Sequence, residues 1–94
     1  MSLYVSLLKY SPEGMKGISP ERFQRNKALI ESKGGKLIGA YALMGEWDVL
    51  TITDFPDEKS AMSALVAVGK SGVGTTQTMT AMLLDEFVTL AKNA

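Results

Sequence analysis

The strand-like segments of this chain are apolar on both sides, and that constrains its fold more than any other feature. From Leu3 to Tyr10, Leu3, Val5 and Leu7 fall on one side of an extended chain while Tyr4, Leu8 and Tyr10 fall on the other. Lys36 to Met44 places Leu37, Tyr41 and Leu43 opposite Ile38, Ala40, Ala42 and Met44. Trp47 to Phe55 places Trp47, Val49 and Phe55 opposite Leu50 and Ile52. A sheet with helices on one face and water on the other alternates apolar and polar residues. These segments do not, so both faces of the sheet must be covered.

The order of elements says what covers the first face. Leu3 to Tyr10 reads as a strand that stops at Ser11-Pro12-Glu13-Gly14, and Ser11 to Ile18 reads as a loop. Ser19-Pro20 opens a helix, with Ser19 suited to the cap and Pro20 to the first turn, and Gly34-Gly35 ends it. Only Gly45-Glu46 separates the second and third strands, which makes them an antiparallel hairpin. Pro56-Asp57 starts a second helix, apolar around most of its girth from Ala61 to Val68, and Gly69 and Gly72 end it. Val73 to Met82 is rich in threonine and reads as a fourth strand. Leu83 to Lys92 reads as a last helix, with Leu83, Leu84, Phe87, Val88 and Ala91 on one stripe. The expected fold is α+β and ferredoxin-like: βαββαβ plus a C-terminal helix, with a four-stranded antiparallel sheet in the order 4-1-3-2. Residues 1–94 make a single domain.

The helices leave one apolar face bare. Burying ~500 Å² of it per chain at ~25 cal/mol per Å² contributes on the order of 10 kcal/mol before association costs. A second copy, sheet against sheet, is the expected cover. The alternative is the terminal helix folding under the sheet.

Composition removes several kinds of chemistry. Ten basic residues balance ten acidic ones, so nucleic acid finds no electrostatic handle. Arg22, Arg25 and Lys27 alternate with Glu21 and Glu31 as on a solvated helix face. Cys and His are both absent, which excludes disulfides, thiolate chemistry and the usual transition-metal ligands. No cofactor is expected. No apolar run approaches the ~20 residues of a membrane helix and no signal peptide is recognised, so a cytoplasmic protein without membrane contact is the expectation.

The remaining candidates lie at strand ends. Tyr10, Tyr41 and Trp47 each join an apolar ring to a polar atom and suit a pocket wall. Glu46 and Asp48 are carboxylates two residues apart, fit to divide acid and base roles or to orient a ligand. In the order 4-1-3-2 the end of the first strand lies beside the start of the third, which brings Tyr10 toward Trp47 and Asp48. Ala64 to Ser71 imitates a phosphate-binding loop, but its helix precedes and its strand follows, the reverse of what that loop requires.

Several spaced segments carry a family resemblance. They are Lys9-Tyr10-Ser11-Pro12-Glu13-Gly14, Gly34-Gly35-Lys36, Tyr41 followed by Gly45-Glu46-Trp47-Asp48, and Thr76-Gln77-Thr78-Met79-Thr80-Ala81. Together they resemble the GYD-domain family, small bacterial and archaeal proteins. The resemblance implies a dimeric α/β-barrel fold. Trp47 stands where the family signature Gly-x-Tyr-Asp has tyrosine, so this chain keeps the flat aromatic wall and lacks the phenol.

Three functions fit. One is a homo-oligomeric module that binds a small molecule at Tyr10, Tyr41, Glu46, Trp47 and Asp48. Another is a cofactor-free enzyme of monooxygenase or isomerase type, which would work with Tyr, Asp, Glu or Lys. The third is a purely structural or regulatory oligomer. Elemental analysis of chelator-washed protein is expected to find no stoichiometric zinc, iron or copper, and one equivalent of any of them would contradict this.

Overall fold

A computed structural model describes residues 2–94. The elements run β1 (Ser2–Tyr10), α1 (Pro12–Lys16), α2 (Pro20–Ser32), β2 (Lys36–Ala42), β3 (Val49–Phe55), α3 (Glu58–Lys70), β4 (Gly74–Ala81) and α4 (Leu84–Asn93). The four strands form one antiparallel sheet in the order β2-β3-β1-β4, which is the expected 4-1-3-2 read from the other edge. No helix is long and apolar enough to cross a membrane among the described residues.

Each helix of the covering layer starts on a side-chain cap. The Ser19 hydroxyl accepts the Arg22 N–H at 3.1 Å, and the Asp57 carboxylate accepts the Ser60 N–H at 2.8 Å. The hydrogen bonds from the Ser60 backbone and hydroxyl hold the Asp57 carboxyl below the usual carboxylate range. The cap therefore contributes above the ordinary carboxylate pKa and is lost as pH falls through the lowered one.

Two segments differ from the expected pattern. Ser11 to Ile18 is not all loop, because Pro12–Lys16 forms the short helix α1. Ser11 makes this possible: its hydroxyl accepts the Gly14 N–H at 2.9 Å, while its own N–H donates to the Val73 carbonyl at 2.9 Å. The hairpin turn is also longer than two residues. Residues 43–48 lie outside the strands, and the chain is held by Leu43 N–H donating to the Asp48 carbonyl at 2.8 Å.

The register assigns every strand residue to a face. Tyr4, Ser6 and Leu8 pair with Thr53, Thr51 and Val49 on β3, and with Thr80, Thr78 and Thr76 on β4. This set lies under α2 and α3. Leu3, Val5, Leu7, Leu50 and Ile52 lie on the opposite face. The expected parity of the second strand fails at one point. A bulge between Leu37 and Gly39 shifts the register, so Leu37 shares a face with Ala40 and Ala42 while Tyr41 opposes them. One extra residue in a bulged strand inverts the alternation beyond it.

Burial is concentrated at one end. Tyr4, Phe55, Ala61 and Ala64 are buried, Ile30 packs against them, and the Tyr4 and Phe55 rings meet edge to face at 6.1 Å. Leu3, Val5, Leu7, Leu50 and Ile52 are only half-buried. The terminal helix does not cover them. Every residue of α4 is exposed, with Leu84 at 71%, Phe87 at 58% and Val88 at 56%. The radius of gyration is 14.3 Å, against about 12 Å for a compact chain of this length.

The glycine of α1 is dictated by contact. A Cβ at Gly14 would overlap the Val73 carbonyl, whereas a Cβ at Gly69, inside α3, meets nothing within 4 Å. Gly14→Ala is expected to destabilise the fold by about 1–3 kcal/mol, and Gly69→Ala to raise stability by up to about 1 kcal/mol. Chemical denaturation checks both, and equal effects would contradict the seating of α1 on Val73.

Candidate functional site

The face of the sheet under the helices is lined with hydroxyl groups. β1 contributes Tyr4 and Ser6, β3 contributes Thr51 and Thr53, and β4 contributes Thr76 and Thr78. The Ser6 and Thr78 hydroxyls share a hydrogen bond at 2.8 Å. A face that served only as core would carry aliphatic side chains, since each buried hydroxyl needs a partner.

Above these hydroxyls lies a cavity of about 180 Å³. Its roof is Phe23, Lys27 and Ile30 from α2, and Ala64, Leu65 and Val68 from α3. The packed cluster of Tyr4, Phe55, Ala61 and Ala64 closes one end. Along β1 the lining then passes from buried Tyr4 to half-buried Ser6, Leu8 and Tyr10, so the space opens at the Tyr10 end. At that end the Arg22 guanidinium lies over the Tyr10 ring, 5.3 Å from its centroid.

One atom of this lining is unmet. Tyr4 is 5% exposed, and its hydroxyl is buried without a hydrogen-bond partner. An unsatisfied buried hydroxyl costs about 1–3 kcal/mol.

The expected site residues are dispersed relative to this cavity. Tyr10 lines it. Tyr41 sits on the opposite face of the sheet, opposite Leu50, 58% exposed, with its ring against Gly39. Glu46 is exposed in the 43–48 loop, and Trp47 is half-buried there outside the cavity lining. The three aromatics therefore do not wall one pocket, because the bulge in β2 turns Tyr41 away from Tyr10. Asp48 does lie beside Tyr10, as the topology required. Its carboxylate accepts the Tyr10 backbone N–H at 2.9 Å, and its own N–H donates to the Leu8 carbonyl at 2.8 Å. These bonds extend the β1–β3 ladder past the last strand pair, so Asp48 fixes the end of β1. Lys27, which shares a helix stripe with Phe23 and Ile30, contributes to the cavity lining from an exposed position.

The family model of the GYD domain matches residues 4–91. This chain belongs to the GYD-domain family. Three solved structures share the fold of this GYD domain. The crystal structure of FFRP-DM1 is 19% identical with a TM-score of 0.63, covering 87% of this chain and 100% of that one. Hypothetical protein PHS023 from Pyrococcus horikoshii is 19% identical with a TM-score of 0.61, covering 88% of this chain and 92% of its own. The 30S ribosomal protein S6 from Thermotoga maritima is 17% identical with a TM-score of 0.51, covering 97% of each chain. At these identities the likeness is one of fold. No curated protein is significantly similar to the GYD domain described here.

The residues that sequence reasoning missed are the hydroxyl set. Tyr4-x-Ser6, Thr51-x-Thr53 and Thr76-x-Thr78-x-Thr80 repeat at period two in strands that the topology makes neighbours. That repeat was the available signal. Asp48→Ala is expected to cost about 1–3 kcal/mol and to speed hydrogen exchange at the Tyr10 amide. Asp48→Asn keeps an acceptor and is expected to cost less. Unchanged Tyr10 exchange in the alanine variant would contradict the role given to Asp48.

Proposed function

We propose that this GYD domain binds a small molecule in the cavity between its sheet and its helices, and that it does so as a homodimer formed through the other face of the sheet. The observation that carries the first part is the cavity itself, floored by the hydroxyls of Ser6, Thr51, Thr53, Thr76 and Thr78 and roofed mainly by apolar side chains of α2 and α3. Apolar walls with a few convergent polar groups are the ordinary makeup of a ligand pocket. The floor supplies neutral donors and acceptors, and with no Cys or His in the chain it holds no soft metal ligand.

The dimer is supported by what the helices leave bare. Leu3, Val5, Leu7, Leu50 and Ile52 lie side by side across the two central strands and are not buried. A second copy laid against this face would remove the aliphatic groups from water.

Two variants separate the two parts. Val5→Asp places a charge in the middle of the bare face and is expected to give a monomer by light scattering at micromolar concentration, where the parent protein is a dimer. Thr78→Phe fills the cavity and is expected to leave the dimer intact while abolishing ligand-observed NMR signals from small aromatic probes. A monomeric parent protein would sink the dimer. Probe binding unaffected by Thr78→Phe would sink the cavity as the site.

A further inference from the structure

Resting on the cavity reading, we infer the class of molecule it takes: a small organic acid with a compact apolar body and a single carboxylate, the carboxylate at Lys27 and the body over the hydroxyl floor.

Size sets the first limit. The cavity measures about 180 Å³. An apolar cavity of about 150 Å³ accepts benzene, so the occupant has roughly six to ten heavy atoms. A nucleotide, flavin or peptide could place only a part of itself inside.

Charge sets the second. Lys27 is the one charged side chain of the lining, which contains no Asp or Glu. The chain as a whole is balanced at ten basic and ten acidic residues, so the positive character is local to this space. The Arg22 guanidinium is stacked on the Tyr10 ring and is not part of the lining. Glu13 and Lys16 of α1 follow Tyr10 in the chain, carry opposite charges and do not line the cavity. One cation with no neighbouring carboxylate in the lining favours a monoanion, disfavours an amine and is too few for a phosphate dianion. At the floor the Ser6, Thr51 and Thr78 hydroxyls are neutral donors and acceptors for an oxygen substituent on the body.

Benzoate, benzamide and benzylamine have the same ring and differ in charge, so they are the probes. In a ¹H–¹⁵N NMR titration of the whole chain, benzoate is expected to shift the amides of Ser6, Thr51 and Thr78. It should bind about tenfold more tightly than benzamide, as a charge-assisted hydrogen bond exceeds a neutral one. Benzylamine should not bind. Lys27→Met, at an exposed helix position, should lower benzoate to the level of benzamide and leave benzamide unchanged. Benzamide binding as tightly as benzoate, or a benzoate preference that survives Lys27→Met, would overturn the assignment while leaving the cavity as the site. If none of the three shifts these amides, the cavity reading falls and the assignment falls with it.

Discussion

Hydrogen bonding on both edges of β1 is the constraint on which the rest of this structure depends. With β3 along one side and β4 along the other, the register leaves β1 no freedom to rotate. A slip of one residue would exchange its two faces completely. Tyr4, Ser6 and Leu8 therefore point under the helices, and Leu3, Val5 and Leu7 point away. The covered face of the sheet mixes hydroxyls with Leu8, Leu37, Val49 and Phe55, and its uncovered central face carries aliphatic groups.

The hydroxyls on the covered face explain why the core is small and displaced. Only where Tyr4 and Phe55 meet Ala61 and Ala64 do the layers close. Toward Tyr10 the helices stand over a cavity. Polar stitches, rather than apolar packing, hold the chain there. Ser11 ties α1 to Val73, and Asp48 ties the end of β1 to the start of β3. Backbone groups at an open end must find partners as surely as those in the core. These residues meet that need while leaving the space above the sheet free.

The sequence made the element order, the sheet order and the two-sided apolarity of β1 and β3 legible, because period-two patterns and turn residues survive without tertiary context. It also placed Asp48 beside Tyr10, since topology alone brings those strand ends together. Three features were not legible. The bulge at Ile38 is signalled only by Gly39 inside the strand, too weakly to fix its position, yet it sends Tyr41 to the far face and disperses the aromatic group expected with Tyr10 and Trp47. The helix α1 depends on Ser11 reaching Val73, a contact 62 residues away along the chain. The hydroxyl floor was visible as alternating Ser and Thr, but threonine in strands usually reflects β propensity. Only the register shows that these residues face the helices.

The central claim is that the bare aliphatic face, and not the helical layer, is where two copies meet. Isotope-filtered NOE spectra on a mixture of methyl-labelled and unlabelled chains test it most directly. The account predicts intermolecular contacts from the methyl groups of Val5, Leu7, Leu50 and Ile52. Intermolecular contacts arising instead from α2 and α3, with none from these four residues, would contradict it.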